Sequence, residues 1–235
     1  MILAASKPEK QVKPAKSCEF DIRSAVVRRL LLDGFARDQI RLEIPLDMAS
    51  SEGRADIVLL TDRIQGIELK SGKGKFCPAA IKEQCLQYNR AFDACGTVID
   101  AHHRKEWEEK LDHGTRFHSN WREVDVQYCH ESRQLQTVWR EPIPDLCNQL
   151  FQWPSRKTSV YDMCLLLWAA EAKDIAGSKT GKYEFCNRMR EYGRLSEVRP
   201  LVIGALRKRS LNKWEASFWR RFDADEVALV SGAES

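Results

Sequence analysis

Residues 54–71 read RADIVLLTDRIQGIELKS, and the fold turns on how they pair. Ala55–Leu60 and Gly66–Lys70 are short apolar runs on either side of Thr61-Asp62-Arg63, a pattern that predicts a hairpin. Both runs carry charge. Side chains alternate along a strand, so Glu68 and Lys70 share a face while Leu69 points the other way, and Asp56 stands near the start of the partner strand. Unpaired charge in a core is costly, so three ionisable groups on two apolar strands need a physical reason. A structural salt bridge is one, but it needs only one acid and one base.

A hard divalent cation is the other. Mg²⁺ takes oxygen ligands, commonly one or two carboxylates with waters and a substrate phosphate oxygen. Asp56 and Glu68 would supply the carboxylates, the Leu69 carbonyl an extra ligand, and Glu43 a contact through water or to a second ion. Lys70 would orient or activate the attacking water and offset charge growing on a phosphate. Two other acid-x-Lys triplets, Glu108-Glu109-Lys110 and Glu171-Ala172-Lys173, lie in a polar stretch and near a helix end, where such spacing is ordinary surface decoration.

Working outward, Phe20, Val26, Val27, Leu30 and Leu31 recur at helical spacing before Gly34, which predicts a helix over 18–33. Ile40, Leu42 and Ile44 alternate with Arg41 and Glu43, a strand over 39–45 set off from the hairpin by a Ser-Ser-Glu-Gly turn. Pro78 suits the first turn of a second helix striped by Ile81, Cys85, Tyr88 and Phe92 and stopped at Gly96, and residues 97–101 read as a returning strand. The order is α-β-β-β-α-β, an α/β fold with a mixed sheet. Alternation at Val124, Val126 and Tyr128 and at Leu135, Thr137 and Trp139 predicts a second hairpin. Beyond Pro142, Pro144 and Pro154 strands give way to helices, one capped by Thr158 or Ser159, one near 182–192 and one after Ser196.

Asp56, eleven intervening residues and Glu68-x-Lys70, in that element order, resemble the PD-(D/E)XK nuclease superfamily. The resemblance is greatest to a bacterial and phage group with R-x-D followed by G-(F/I)-E-(I/L)-K-S, here Arg54-Ala55-Asp56 and Gly66-Ile67-Glu68-Leu69-Lys70-Ser71. It extends to Glu43, to Gln84 and Tyr88, and to Leu166-Leu167-Trp168 before Glu171, strongly over 40–102 and loosely over 20–210. The resemblance implies a restriction-endonuclease-like core and metal-dependent phosphodiester hydrolysis. Asp56 and Glu68 would be the Mg²⁺ or Mn²⁺ ligands, Lys70 the catalytic lysine and Gln84 an auxiliary polar group. Ala55 stands where the superfamily has Pro, and the basic Ser-Gly-Lys-Gly-Lys stretch after Lys70 also departs from it.

Composition fits that picture without requiring it. With 43% hydrophobic and 31% charged residues the chain can bury a core, which excludes wholesale disorder. No apolar run reaches membrane-spanning length and the start lacks a secretory pattern, so the expectation is a cytoplasmic protein without a membrane partner. The eight cysteines contain no C-x-x-C and read as reduced, and the five histidines have no ligand-pair spacing. The glycine- and lysine-rich stretches at 71–75 and 177–182 do not fit a P-loop, which excludes nucleotide hydrolysis by that route.

Net charge is +4, concentrated in Lys7, Lys10, Lys13 and Lys16 and again over 196–221. Basic segments suggest a polyanion, here nucleic acid and DNA before RNA, contacted by Lys73, Lys75, Arg207, Lys208, Arg209 and Lys213, with Trp214 and Trp219 as base-stacking candidates. A homodimer is compatible with the sequence. The expected organisation is a flexible basic arm (1–17), a nuclease core with an extra hairpin (18–141), a linker (142–157), a helical module (158–222) and an acidic flexible tail (223–235). The alternative is a catalytically silent member of the fold that binds nucleic acid or protein, such as a phage or mobile-element factor acting on a host defence or repair complex.

Overall fold

The computed structural model describes residues 16–48, 51–74, 77–103, 126–129, 134–137, 158–177 and 180–232. Helix α1 (Glu19–Leu32) ends as its sequence predicts. Gly34 takes φ +93°, its N–H donates to the Leu31 carbonyl, and the Phe35 N–H donates to the Leu30 carbonyl, the paired bonds of a Schellman stop. Strands β1 (Ile40–Met48) and β2 (Ser51–Leu60) then form an antiparallel hairpin whose ladder runs from Ile40↔Leu59 to Met48↔Ser51. The expected turn at Ser51-Glu52-Gly53 is therefore strand, because the ladder continues through those residues.

Strand β3 (Ile64–Lys70) completes the hairpin with β2. Helix α2 (Pro78–Ala91) carries the chain across to β4 (Ala94–Asp100), which lies parallel to β3. Gly96 does not stop that helix. It pairs with Ile67 inside β4, and the helix ends earlier, where Phe92 leaves helical geometry and the buried Asp93 accepts from the Ile64 N–H. The second hairpin, β5 (Val126–Cys129) and β6 (Gln134–Thr137), extends the sheet through a parallel β4–β5 pair. The result is a six-stranded mixed sheet in sequential order, an α/β fold.

Five further helices follow among the described residues: α3 (Val160–Cys164), α4 (Ala169–Ala176), α5 (Lys182–Tyr192), α6 (Leu195–Lys208) and α7 (Lys213–Gly232). Ser159 caps α3 by accepting from the Asp162 N–H, and Gly177 ends α4 at φ +61°, as the inter-helix turn there requires. These helices, expected as a module of their own, share their cores with the sheet. On one face Met163, Leu167, Phe185, Val202 and Leu206 pack with Val58, Leu60, Ile64, Tyr88 and Phe92. On the other, Phe218, Trp219 and Phe222 of α7 join Ile22, Val26 and Leu30 of α1 over Ile40, Leu42, Ile57 and Ile67. Residues 223–232 are not a free tail either. They continue α7, with Asp223 paired to Arg37 and Glu226 to Arg28.

Candidate functional site

Ile40 and Leu42 belong to the α1 side of the sheet, Ile44 and Leu46 to the α2 side. Residues two apart in a regular strand share a face, so the backbone reverses between them. Glu43 is the point of reversal: its φ of +54° is the one positive φ at a non-glycine residue among the described residues. Across the hairpin Ala55 and Ile57 divide in the same way. The ladder skips the Glu43/Asp56 step between Leu42↔Ile57 and Ile44↔Ala55. On the far side of Asp56 the β2–β3 ladder stops at Ile57↔Ile67, one step short of Asp56/Glu68. Glu43, Asp56 and Glu68 thus stand at one level across three neighbouring strands, where regular pairing gives way.

Side chains replace the missing ladder. Asp56 Oδ2 accepts from the Leu69 N–H at 2.7 Å, and the Asp56 N–H donates to the Tyr88 hydroxyl at 3.3 Å. Tyr88 donates to Glu68 Oε2 at 2.5 Å. Lys70 Nζ donates to Glu68 Oε1 at 2.5 Å and to Gln84 Oε1 at 2.8 Å. Glycine at position 66 makes this packing possible, since a Cβ there would lie 2.9 Å from Tyr88 Cδ2 and closer still to the Phe92 ring. Burial, with Glu68 and Glu43 nearby, pushes the Asp56 carboxyl well above the usual range, against the opposing pull of the Leu69 N–H and Arg23.

Position 23 was not anticipated from sequence. Arg23 Nη2 lies 2.5 Å from Glu19 Oε1, 2.5 Å from Glu43 Oε1 and 3.6 Å from Asp56 Oδ1. Oxygens of those three carboxylates lie within 4.8 Å of one another, a grouping able to hold a metal ion. Of the expected ligands, Asp56 and Glu43 belong to it. Glu68 does not, and its two oxygens accept from Lys70 and Tyr88. Glu19 is the addition. Its only sequence signal is the i, i+4 spacing to Arg23, indistinguishable from ordinary helix-surface pairing. For Leu69 the contact seen at Asp56 comes from its N–H rather than its carbonyl.

The expected phosphate-contacting residues divide. Lys73 is exposed in the turn after β3, which is fastened by Ser17: its hydroxyl accepts from the Gly72 N–H, its carbonyl from the Lys73 N–H, and the hydroxyl donates to the buried Asp100. Lys75 lies outside the described residues. Lys208 and Lys213 are exposed, with Lys213 against the exposed Trp214 ring. Arg207 is paired with Asp38. Arg209 is buried: it bonds Glu171 and the Leu166 carbonyl and lies over Trp168, so the expectation that it meets a phosphate is corrected. Trp219 is also buried, in the α1-side core, which removes it as a stacking surface.

Comparison with protein-family models, with curated proteins and with solved structures returns no match. Among the described residues no helix is long and apolar enough to cross a membrane.

Proposed function

We propose that the chain is a metal-dependent nuclease with a restriction-endonuclease-like core. One observation carries the reading: three acids stand at one level across three adjacent strands, beside a lysine held by an acid and an amide. The donor set fits Mg²⁺ or Mn²⁺, because it consists of hard carboxylate oxygens with no sulfur or imidazole among them. Asp56 and Glu43 would hold the cation, with Glu19 available beside them. A divalent cation bound there supplies Lewis-acid polarisation of a phosphate and a more acidic water.

The chain's own residues supply the rest. Lys70 uses two of its three N–H bonds on Glu68 and Gln84, which aims the ammonium and leaves one bond for a phosphate oxygen or the attacking water. Tyr88 fixes the Glu68 carboxylate from the other side and ties it to the Asp56 backbone. Lys73, exposed in the fastened turn directly after β3, would neutralise a neighbouring phosphate of a nucleic-acid backbone.

The test is a cleavage panel over linear, nicked, branched and single-stranded DNA and RNA with Mg²⁺ and Mn²⁺. Cleavage is expected with metal only, reduced by about 10² or more in Asp56→Ala and Lys70→Ala. Undiminished cutting by both variants sinks the assignment. A second reading, a silent binder of the same fold, is favoured by the way Arg23 and Lys70 already neutralise the acids from within. It predicts nucleic-acid binding with no product on any substrate.

A further inference from the structure

One nitrogen of Arg23 touches all three carboxylates that would surround a cation. Its Nη2 reaches Glu19, Glu43 and Asp56, while its Nε is buried without a hydrogen-bond partner among the described residues. A guanidinium normally uses its planar fork of donors on carboxylates in pairs. Here one NH2 group bonds two acids and lies 3.6 Å from a third, and a buried donor goes unused among the described residues, so this geometry serves charge neutralisation more than hydrogen bonding. The arginine comes from the interior side of α1: Ile22, Ala25, Val26 and Val27 on the same turns are buried, which holds the guanidinium at the strand level where β1 and β2 lose their pairing.

We infer that Arg23 is a built-in counter-ion that competes with the divalent cation, so that loading the site means moving the Arg23 guanidinium out from between Glu43 and Asp56. This rests on the metal-site reading above and adds to it the residue that sets affinity. The physical ground is twofold. The guanidinium nitrogen occupies the space among the three oxygens, and two cations at ligand spacing repel strongly in a partly buried site. Without Arg23 or a metal, three carboxylates would face one another uncompensated. The arginine therefore stabilises the metal-free fold and weakens metal binding by the same contacts. Its exit is short-range, since Glu19 on the outer turn of α1 is mostly exposed and already bonds the same nitrogen.

The experiment measures Mn²⁺ affinity by calorimetry on the full chain, in wild type, Arg23→Gln and Arg23→Lys, alongside thermal melts over the same Mn²⁺ series. Arg23→Gln should melt lower without metal and bind Mn²⁺ at least about tenfold more tightly, with Arg23→Lys in between because it keeps the charge but not the reach. A purely structural arginine would lower the melting temperature without tightening Mn²⁺ binding. If Arg23→Gln is too unstable to titrate, the Mn²⁺ dependence of its melting temperature yields the same affinity by linkage. Wild type that binds Mn²⁺ with an affinity unchanged or weakened in Arg23→Gln overturns the counter-ion role and leaves the metal site standing. No Mn²⁺ binding by any of the three proteins, with Glu43 and Asp56 intact, overturns the metal-site reading and this inference with it.

Discussion

Glu43 holds a backbone conformation that β-strands avoid and glutamate seldom adopts. The left-handed region costs a residue with a Cβ roughly 1–2 kcal/mol, whereas glycine enters it freely. That cost is offset because the reversal aims Ile44 and Leu46 into the α2-side core and sets Glu43 against Asp56 and Arg23. Comparing Glu43→Gly with Glu43→Ala isolates the backbone contribution, since both remove the carboxylate. The glycine variant is expected to be the more stable by about 1 kcal/mol in urea unfolding, the reverse of the usual order inside a strand. An alanine variant as stable as the glycine variant would show that position 43 relaxes out of the left-handed region. Alternation at Ile40, Leu42 and Ile44 is what a regular strand shows, so the reversal at Glu43 leaves no mark in the sequence.

Between elements, one buried pair joins the first strand to the last helix. Arg41 is 2% exposed at its side chain and Glu215 is fully buried. They meet bidentately at 2.9 Å, Arg41 also bonds the carbonyls of Leu206 and Arg209, and Glu215 accepts from the Leu42 N–H. Arg41 thus collects carbonyls at the end of α6, while Glu215 satisfies a β1 N–H on the side where the described residues place no neighbouring strand. Removing one partner leaves a buried charge, so Arg41→Met should cost about 3–5 kcal/mol in urea unfolding. The double variant Arg41→Met/Glu215→Leu should recover part of that loss. A single variant costing under about 1 kcal/mol would mean that the pair is solvated and that α7 is held by Phe218, Trp219 and Phe222 and by its pairs with Arg28 and Arg37. Alternation correctly identified β1, but put Arg41 on its polar face with Glu43. Nothing local indicates that a residue 174 positions away buries it.

For the molecule as a whole, both faces of the sheet depend on helices that follow residue 158. Without them Val58, Leu60 and Ile64 lose their cover on one side, and Ile40, Leu42 and Ile57 lose part of theirs on the other. A chain ending at 157 is therefore expected to lack a cooperative thermal transition and near-UV circular dichroism, as exposed apolar sheet faces require. A cooperative melt by that fragment would restore the picture of an independent core with a detachable module. The sequence by itself determined the strands and helices with strong periodicity, the α-β-β-β-α-β order, and the face shared by Glu68 and Lys70, because spacings of 2 and 3.6 residues are set by backbone geometry alone. Tertiary structure alone decided that Glu43, Asp56 and Glu68 fall level across the sheet, that Arg23 stands among the acids, that Arg209 and Trp219 are buried, and that the C-terminal helices complete the core. Those outcomes depend on strand register and on contacts between residues far apart in the chain, which no local pattern encodes.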